Sequence, residues 1–121
     1  MKWEDVDIII SVLDALKDAE YHTITGTTLK VAKDFHLTKN DMNEIYKSRK
    51  DKGDGIATKK IYTDVQSMVG KLRTSKYIKN FPGTKGKGIF VITTKGLKLF
   101  ALAESEIKKE INSEFKKYIK N

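Results

Sequence analysis

The chain contains no cysteine. That excludes a disulfide framework, thiolate metal ligation and a thiol nucleophile. Its two histidines, His22 and His36, fall at opposite ends of one expected helix with no clustered acid between them. Metal ligation is therefore not expected, and they read as surface or cap residues. No apolar run approaches the ~20 residues of a membrane-spanning helix. MKWEDVDIII places three acids ahead of its apolar run, the reverse of a secretory leader. A cytoplasmic protein without a membrane partner is the expectation. Carboxylates paired for hydrolysis are not apparent, and Glu106-Ile107-Lys108, a fragment of the kind found in nuclease sites, falls on an expected helix without a strand Asp. An enzyme is not expected. KSRKDKGDGIA has the length of a phosphate-binding nucleotide loop but not its GxxxxGK[ST] pattern, and no strand precedes it. No cofactor and no metal is called for.

What is present is positive charge, unevenly placed. The 121 residues carry a net +8. Residues 1–20 hold two Lys and six acids, residues 21–101 hold 17 Lys and Arg against six acids, and residues 102–121 hold five Lys against four acids. The excess sits on the body of the chain, where a phosphate-binding surface would need it. One ordinary domain fits this length.

The stretch from Thr58 to Phe100 is the most informative. Ile61, Val65, Met68 and Leu72 recur at spacings of four, three and four, which predicts a helix with one buried stripe. The opposite face goes to Lys59, Lys60, Thr63, Gln66, Ser67, Gly70, Lys71 and Thr74. It holds no large apolar residue and no acid. Lys59 and Lys60 lie in the first turn, where cations oppose the helix dipole, so helix stability does not account for them. Gly70 costs the helix about 1 kcal/mol relative to Ala, which a close approach by DNA or by a packed helix would offset. YIKNF and IFVITTKG then read as two strands around PGTKGKG. There Pro82-Gly83 starts a turn, Gly86 and Gly88 permit positive φ, and Lys85 and Lys87 project from the tip. Both faces of the second strand read as buried.

Before this stretch, residues 3–19 read as a helix apolar well beyond one stripe, with Trp3 as an anchor at its entrance. YHTITGTT reads as a turn with a short strand around Ile24. A second helix over 27–35 would bury Leu29, Ala32 and Phe35. Thr38 and Asp41 form a capping-box pattern opening a third helix over 39–47. Lys47, Arg49, Lys50 and Lys52 in the following loop are candidate phosphate contacts. After the hairpin, Gly96 reads as the break before one last helix over 97–119. Its distal stripe of Ile107, Ile111, Phe115 and Ile119 extends beyond what a small body can cover, since the helix would be roughly 35 Å long. A second copy of the chain, making a homodimer, is the expected cover.

Helix, short hairpin and basic tip make an α+β winged helix-turn-helix over 1–100, with a C-terminal dimerisation helix over 97–121. Leu37-Thr38 opening a helix, the charged loop ending near Gly53, Val65, Met68 and Leu72, Tyr77-Ile78 and Ile92-Thr93-Thr94-Lys95-Gly96 carry a family likeness. In that order they resemble the N-terminal winged-helix domain of Mrr-type restriction endonucleases. The ITTKG ending is also similar to dimeric regulators of the PadR type, in which a long dimerising helix follows the wing. Ser67 departs from the Mrr-type pattern, where a Trp is common. The resemblance implies DNA binding but not cleavage, which belongs to a separate nuclease domain.

The function expected is that of a homodimeric transcriptional regulator on double-stranded DNA. Lys59, Lys60, Thr63, Gln66 and Ser67 would face the major groove, Lys71 and Arg73 would touch phosphates, and Lys85 and Lys87 would hold the wing on the backbone. The recognition subunit of a restriction system and a module docking an acidic protein are the alternatives. A small-molecule effector is left open.

Overall fold

Apolar residues crowd helix α1 (Asp5–Leu16) on more than one side, and Ile8, Ile9, Val12, Leu13 and Leu16 are all fully buried. The computed structural model, which describes residues 3–46, 55–83 and 88–116, shows why. Helix α1 lies at the centre, packed by α2 (Ile24–Asp34), α4 (Lys60–Thr74) and α5 (Thr94–Phe100). Asp5 and Asp7 occupy its first turn, where carboxylates complement the dipole.

Helix α2 begins three residues before the expected start. Thr23 caps it by accepting a hydrogen bond from the Gly26 N–H at 3.0 Å. The threonine run expected to turn is helical instead, because Thr27 and Thr28 donate to the Thr23 and Ile24 carbonyls within the helix. With their hydroxyls satisfied, both are buried beside Val31 and Ala32. Leu29, expected in the core, is 51% exposed, and Phe35 is half-buried.

The capping box at Thr38 and Asp41 is present, but α3 (Lys39–Asn43) is a single turn rather than a helix to 47. Beyond it the chain runs extended. Ile45 bridges Lys59, and the Lys60 N–H donates to the Glu44 carbonyl at 2.7 Å. A short 3-10 turn at Ile56–Thr58 then leads into α4. As the apolar spacing requires, α4 buries Ile61, Val65, Met68 and Leu72, together with Val69.

Strands β1 (His22–Thr23), β2 (Ile78–Asn80) and β3 (Ile89–Ile92) form one antiparallel sheet in the order β1-β3-β2. Phe90 stands opposite both His22 and Asn80, and it is buried with Val91 and Ile92. The architecture is α+β, six helices and a three-stranded sheet among the described residues, and is compatible with a winged helix.

Gly96 does not break the strand. It sits buried in the first turn of α5, where Thr93 caps the helix by accepting from the Gly96 N–H at 3.1 Å. A Cβ at this position would lie 2.2 Å from the Tyr77 carbonyl oxygen, so only glycine lets α5 approach the start of β2.

The single last helix is also corrected. Helix α5 ends at Phe100, the chain turns, and α6 (Glu104–Lys116) starts anew with Glu104 and Glu106 in its first turn. The turn folds α6 back onto its own chain. Ile107 and Ile111 are only 3% and 4% exposed within the common core, with Phe115 packed against it. They therefore need no second copy to cover them, and the reason for assigning them to a dimer interface lapses. Ile119 lies outside the described residues. No described helix is long and apolar enough to cross a membrane.

Gly96→Ala is expected to lower stability by about 2–3 kcal/mol through overpacking against backbone. The urea midpoint measures it, and an unchanged midpoint would contradict the close approach of α5 to Tyr77.

Candidate nucleic-acid interface

With five side chains turned inward, α4 presents a polar face outward. Gln66, Ser67, Lys71 and Thr74 are exposed, and Thr63 and Gly70 are half-exposed between them. Thr63 donates to the Lys59 carbonyl at 3.2 Å and Thr74 to the Gly70 carbonyl at 3.0 Å. Each hydroxyl proton is thus turned back on the helix, and the Thr63 oxygen keeps lone-pair capacity as an acceptor. At Gly70, apart from its chain neighbours and the helix's own backbone, no atom of the described residues lies within 4 Å of where a Cβ would stand. Among the described residues, then, no packed helix explains this glycine. The face is low, polar and, among the described residues, uncovered at its centre.

One flank of this face adjoins the sheet. Tyr62, Gln66, Val69 and Arg73 recur at helical spacing and, with Ile24, Gly88 and Phe90, line a cleft of about 220 Å³. The Arg73 guanidinium donates to Asn80 Oδ1 at 2.9 Å, which fixes it between α4 and β2. Tyr62 did not stand out in the sequence. Its spacing of four from Gln66 and eleven from Arg73 is the signal that identifies it as part of this flank.

The other flank holds a clamp that sequence reading missed. Asp64 accepts hydrogen bonds from Trp3 Nε1 and from the Tyr46 hydroxyl, both at 2.5 Å. The Lys60 ammonium lies 5.8 Å from the Trp3 ring centroid and 5.2 Å from that of Tyr46, within cation–π range. Burial, and then the bond to Asp64, push the Tyr46 hydroxyl up to about 12. Trp3 is therefore more than an apolar anchor. It ties the entrance of α1 to the first turns of α4.

The expected DNA-contacting residues accordingly divide. Thr63, Gln66, Ser67 and Lys71 share the outward face, with the Lys71 ammonium 5.6 Å from the Phe115 ring of α6. Arg73 belongs to the sheet-side flank. Lys60 turns toward the aromatic clamp rather than the face, and half-buried Lys59 is the N-cap position of α4, paired through its backbone with Ile45. Lys85 and Lys87 lie outside the described residues, as do Lys47, Arg49, Lys50 and Lys52. His22 Nε2 sits 2.8 Å from the Asp18 carboxylate. Among the described residues no group of three or more His, Cys, Asp or Glu side chains is placed to hold a metal. Glu106 and Lys108 are on α6, as the sequence suggested, with Glu106 3.7 Å from Lys109.

Comparison with known proteins returns no matching family model, no matching curated protein and no matching solved structure.

Because the folded state raises the Tyr46 pKa, the folded chain retains this proton where the unfolded chain has lost it. The associated stability is fully present below about pH 10 and is lost as pH rises toward about 12. Urea unfolding across that window is expected to show the decline, and Tyr46→Phe to flatten it. An equal decline in the variant would remove Tyr46 as its source.

Proposed function

We propose that the chain binds duplex DNA as a winged helix, with the outward face of α4 in the major groove and the β2–β3 hairpin beside it. The observation that carries this reading is the α4 face itself. It is polar and free of acids, and at Gly70 it is open. The sheet order β1-β3-β2, with the hairpin adjoining α4 through Arg73 and Asn80, supports it. So does the concentration of positive charge in residues 21–101 and the resemblance to Mrr-type and PadR-type winged helices.

In this reading Gln66 offers both a donor and an acceptor to a base edge, as adenine recognition requires. Ser67 and Thr63 approach closely without obstructing. Lys71, Lys59 and Arg73 neutralise phosphates. Lys85 and Lys87 hold the backbone at the hairpin tip, an assignment resting on the sequence alone. Lys60 contributes indirectly, by holding the first turn of α4 against Trp3 and Tyr46. The protein acts by occupying a site, as a transcriptional regulator does. A homodimer would need a surface other than Ile107 and Ile111.

Selection from a random duplex library at two salt concentrations is expected to enrich a defined motif, and Gln66→Ala to alter it. Lys71→Ala should weaken binding across sequences and reduce the salt slope by about one. Gly70→Leu is the sharper test. It should leave the fold at least as stable, since leucine is the better helix former by roughly 1 kcal/mol, yet lower DNA affinity about tenfold or more. Binding by Gly70→Leu equal to that of the unaltered chain would refute docking through this face.

A further inference from the structure

A second cleft, of about 560 Å³, opens between α1, the C-terminal end of α2 and the segment joining α5 to α6. Its lining pairs aromatic rings with carboxylates: Trp3, Phe35 and Phe100 beside Asp7, Glu104 and the Asp14–Asp34 pair. We propose that this cleft binds a small organic cation with an apolar or aromatic body.

Three considerations point to that class. The first is size, because the volume falls within the range of small-molecule pockets. The second is the floor. Trp3, Phe35 and Phe100 are each half-buried, and aromatic faces attract a cation while their bodies bury its apolar part. The indole is held in place by its bond to Asp64, so the ring needs little ordering on binding. The third is charge. Asp14 and Asp34 are already answered, since Lys30 bridges them at 2.7 and 2.5 Å and Lys17 meets Asp14 at 2.8 Å. Ser11, 5% exposed, donates to Asp34 at 2.6 Å and fixes that carboxylate. Among the described residues no side-chain cation pairs with Asp7 or Glu104, which stand exposed in the first turns of α1 and α6 with only the helix dipoles facing them. Lys60 reaches the Trp3 ring from α4 but does not line the cleft. An anion would meet four carboxylates here, and a neutral ligand would leave Asp7 and Glu104 without a counter-charge.

This site involves none of the outward residues of α4, so it stands or falls separately from DNA binding. Trp3 is the chain's one tryptophan, which makes its emission a direct readout of the cleft. Benzyltrimethylammonium is expected to shift Trp3 emission saturably, whereas benzylsulfonate at equal ionic strength leaves it unchanged. The Asp7→Asn/Glu104→Gln double variant, altered only at exposed positions, should bind the cation at least fivefold more weakly. No saturable response to the cation, an equal response to benzylsulfonate, or undiminished binding by the double variant would each overturn the assignment. The first two are read on the unaltered chain and do not depend on how the variant folds.

Discussion

Seating the apolar stripe of α4 against α1 and α2 is the constraint on which the rest of the molecule depends. Ile61, Val65, Met68, Val69 and Leu72 are removed from water together, each worth about 1.5–3 kcal/mol relative to exposure. Rotating the helix by one residue would bring Lys60, Asp64, Ser67 and Lys71, or Tyr62, Gln66, Gly70 and Arg73, inward in their place, so the orientation of α4 is fixed by a large energy difference. Its outward face is therefore a consequence of the core. Both ends are secured as well. At the start, the Lys60 N–H is held by Glu44 and Asp64 by Trp3 and Tyr46. At the end, the Tyr77 N–H returns to the Leu72 carbonyl, and Lys95 links the Ser75 carbonyl to Glu114 of α6.

The hairpin takes its position from the same core by a different device. Thr93 donates its N–H to the Tyr77 carbonyl and its hydroxyl to the Lys76 carbonyl at 2.7 Å, with the Tyr77 carbonyl also 3.0 Å away, while its oxygen caps α5. One residue thus joins the end of β3, the start of β2 and the first turn of α5. Gly96 makes the junction sterically possible, and the hairpin leaves it beside α4 with Arg73 and Asn80 bonded across the gap. The DNA binding proposed for this surface needs such rigidity, because positioning must be complete before a base edge can be read.

What was legible in the sequence was local and periodic. The α4 stripe, the two strands and the Thr38–Asp41 box each declare themselves within a few residues. The end of α2, expected at 35, falls at Asp34; both it and α4 close through left-handed residues that are not glycine, His36 and Lys76, with buried Tyr77 supplying the apolar contact after α4. The early start of α2 was hidden by threonines, which favour turns until their hydroxyls find helical carbonyls. The break between α5 and α6 lacks proline or glycine at 101–103, and it is decided by where Ile107 and Ile111 find cover. Lys60 was misplaced for a similar reason. Its partners Trp3 and Tyr46 are far along the chain, and Trp3 lies 61 residues from the Asp64 it bonds. Of the α4 face, periodicity gave the membership, while tertiary contacts decided which members remain outward.

The two faces differ in charge and relief, one low, polar and free of acids, the other concave, aromatic and acidic. The first is the one proposed to meet DNA. Since the chain has no cysteine, a single one introduced by Ser67→Cys can carry a photo-crosslinker on the α4 face, with Ser105→Cys beside Glu104 as the matched control. The outward-face account predicts efficient crosslinking of a selected duplex from position 67 and little from position 105. Equal crosslinking from both, or more from position 105, would contradict it.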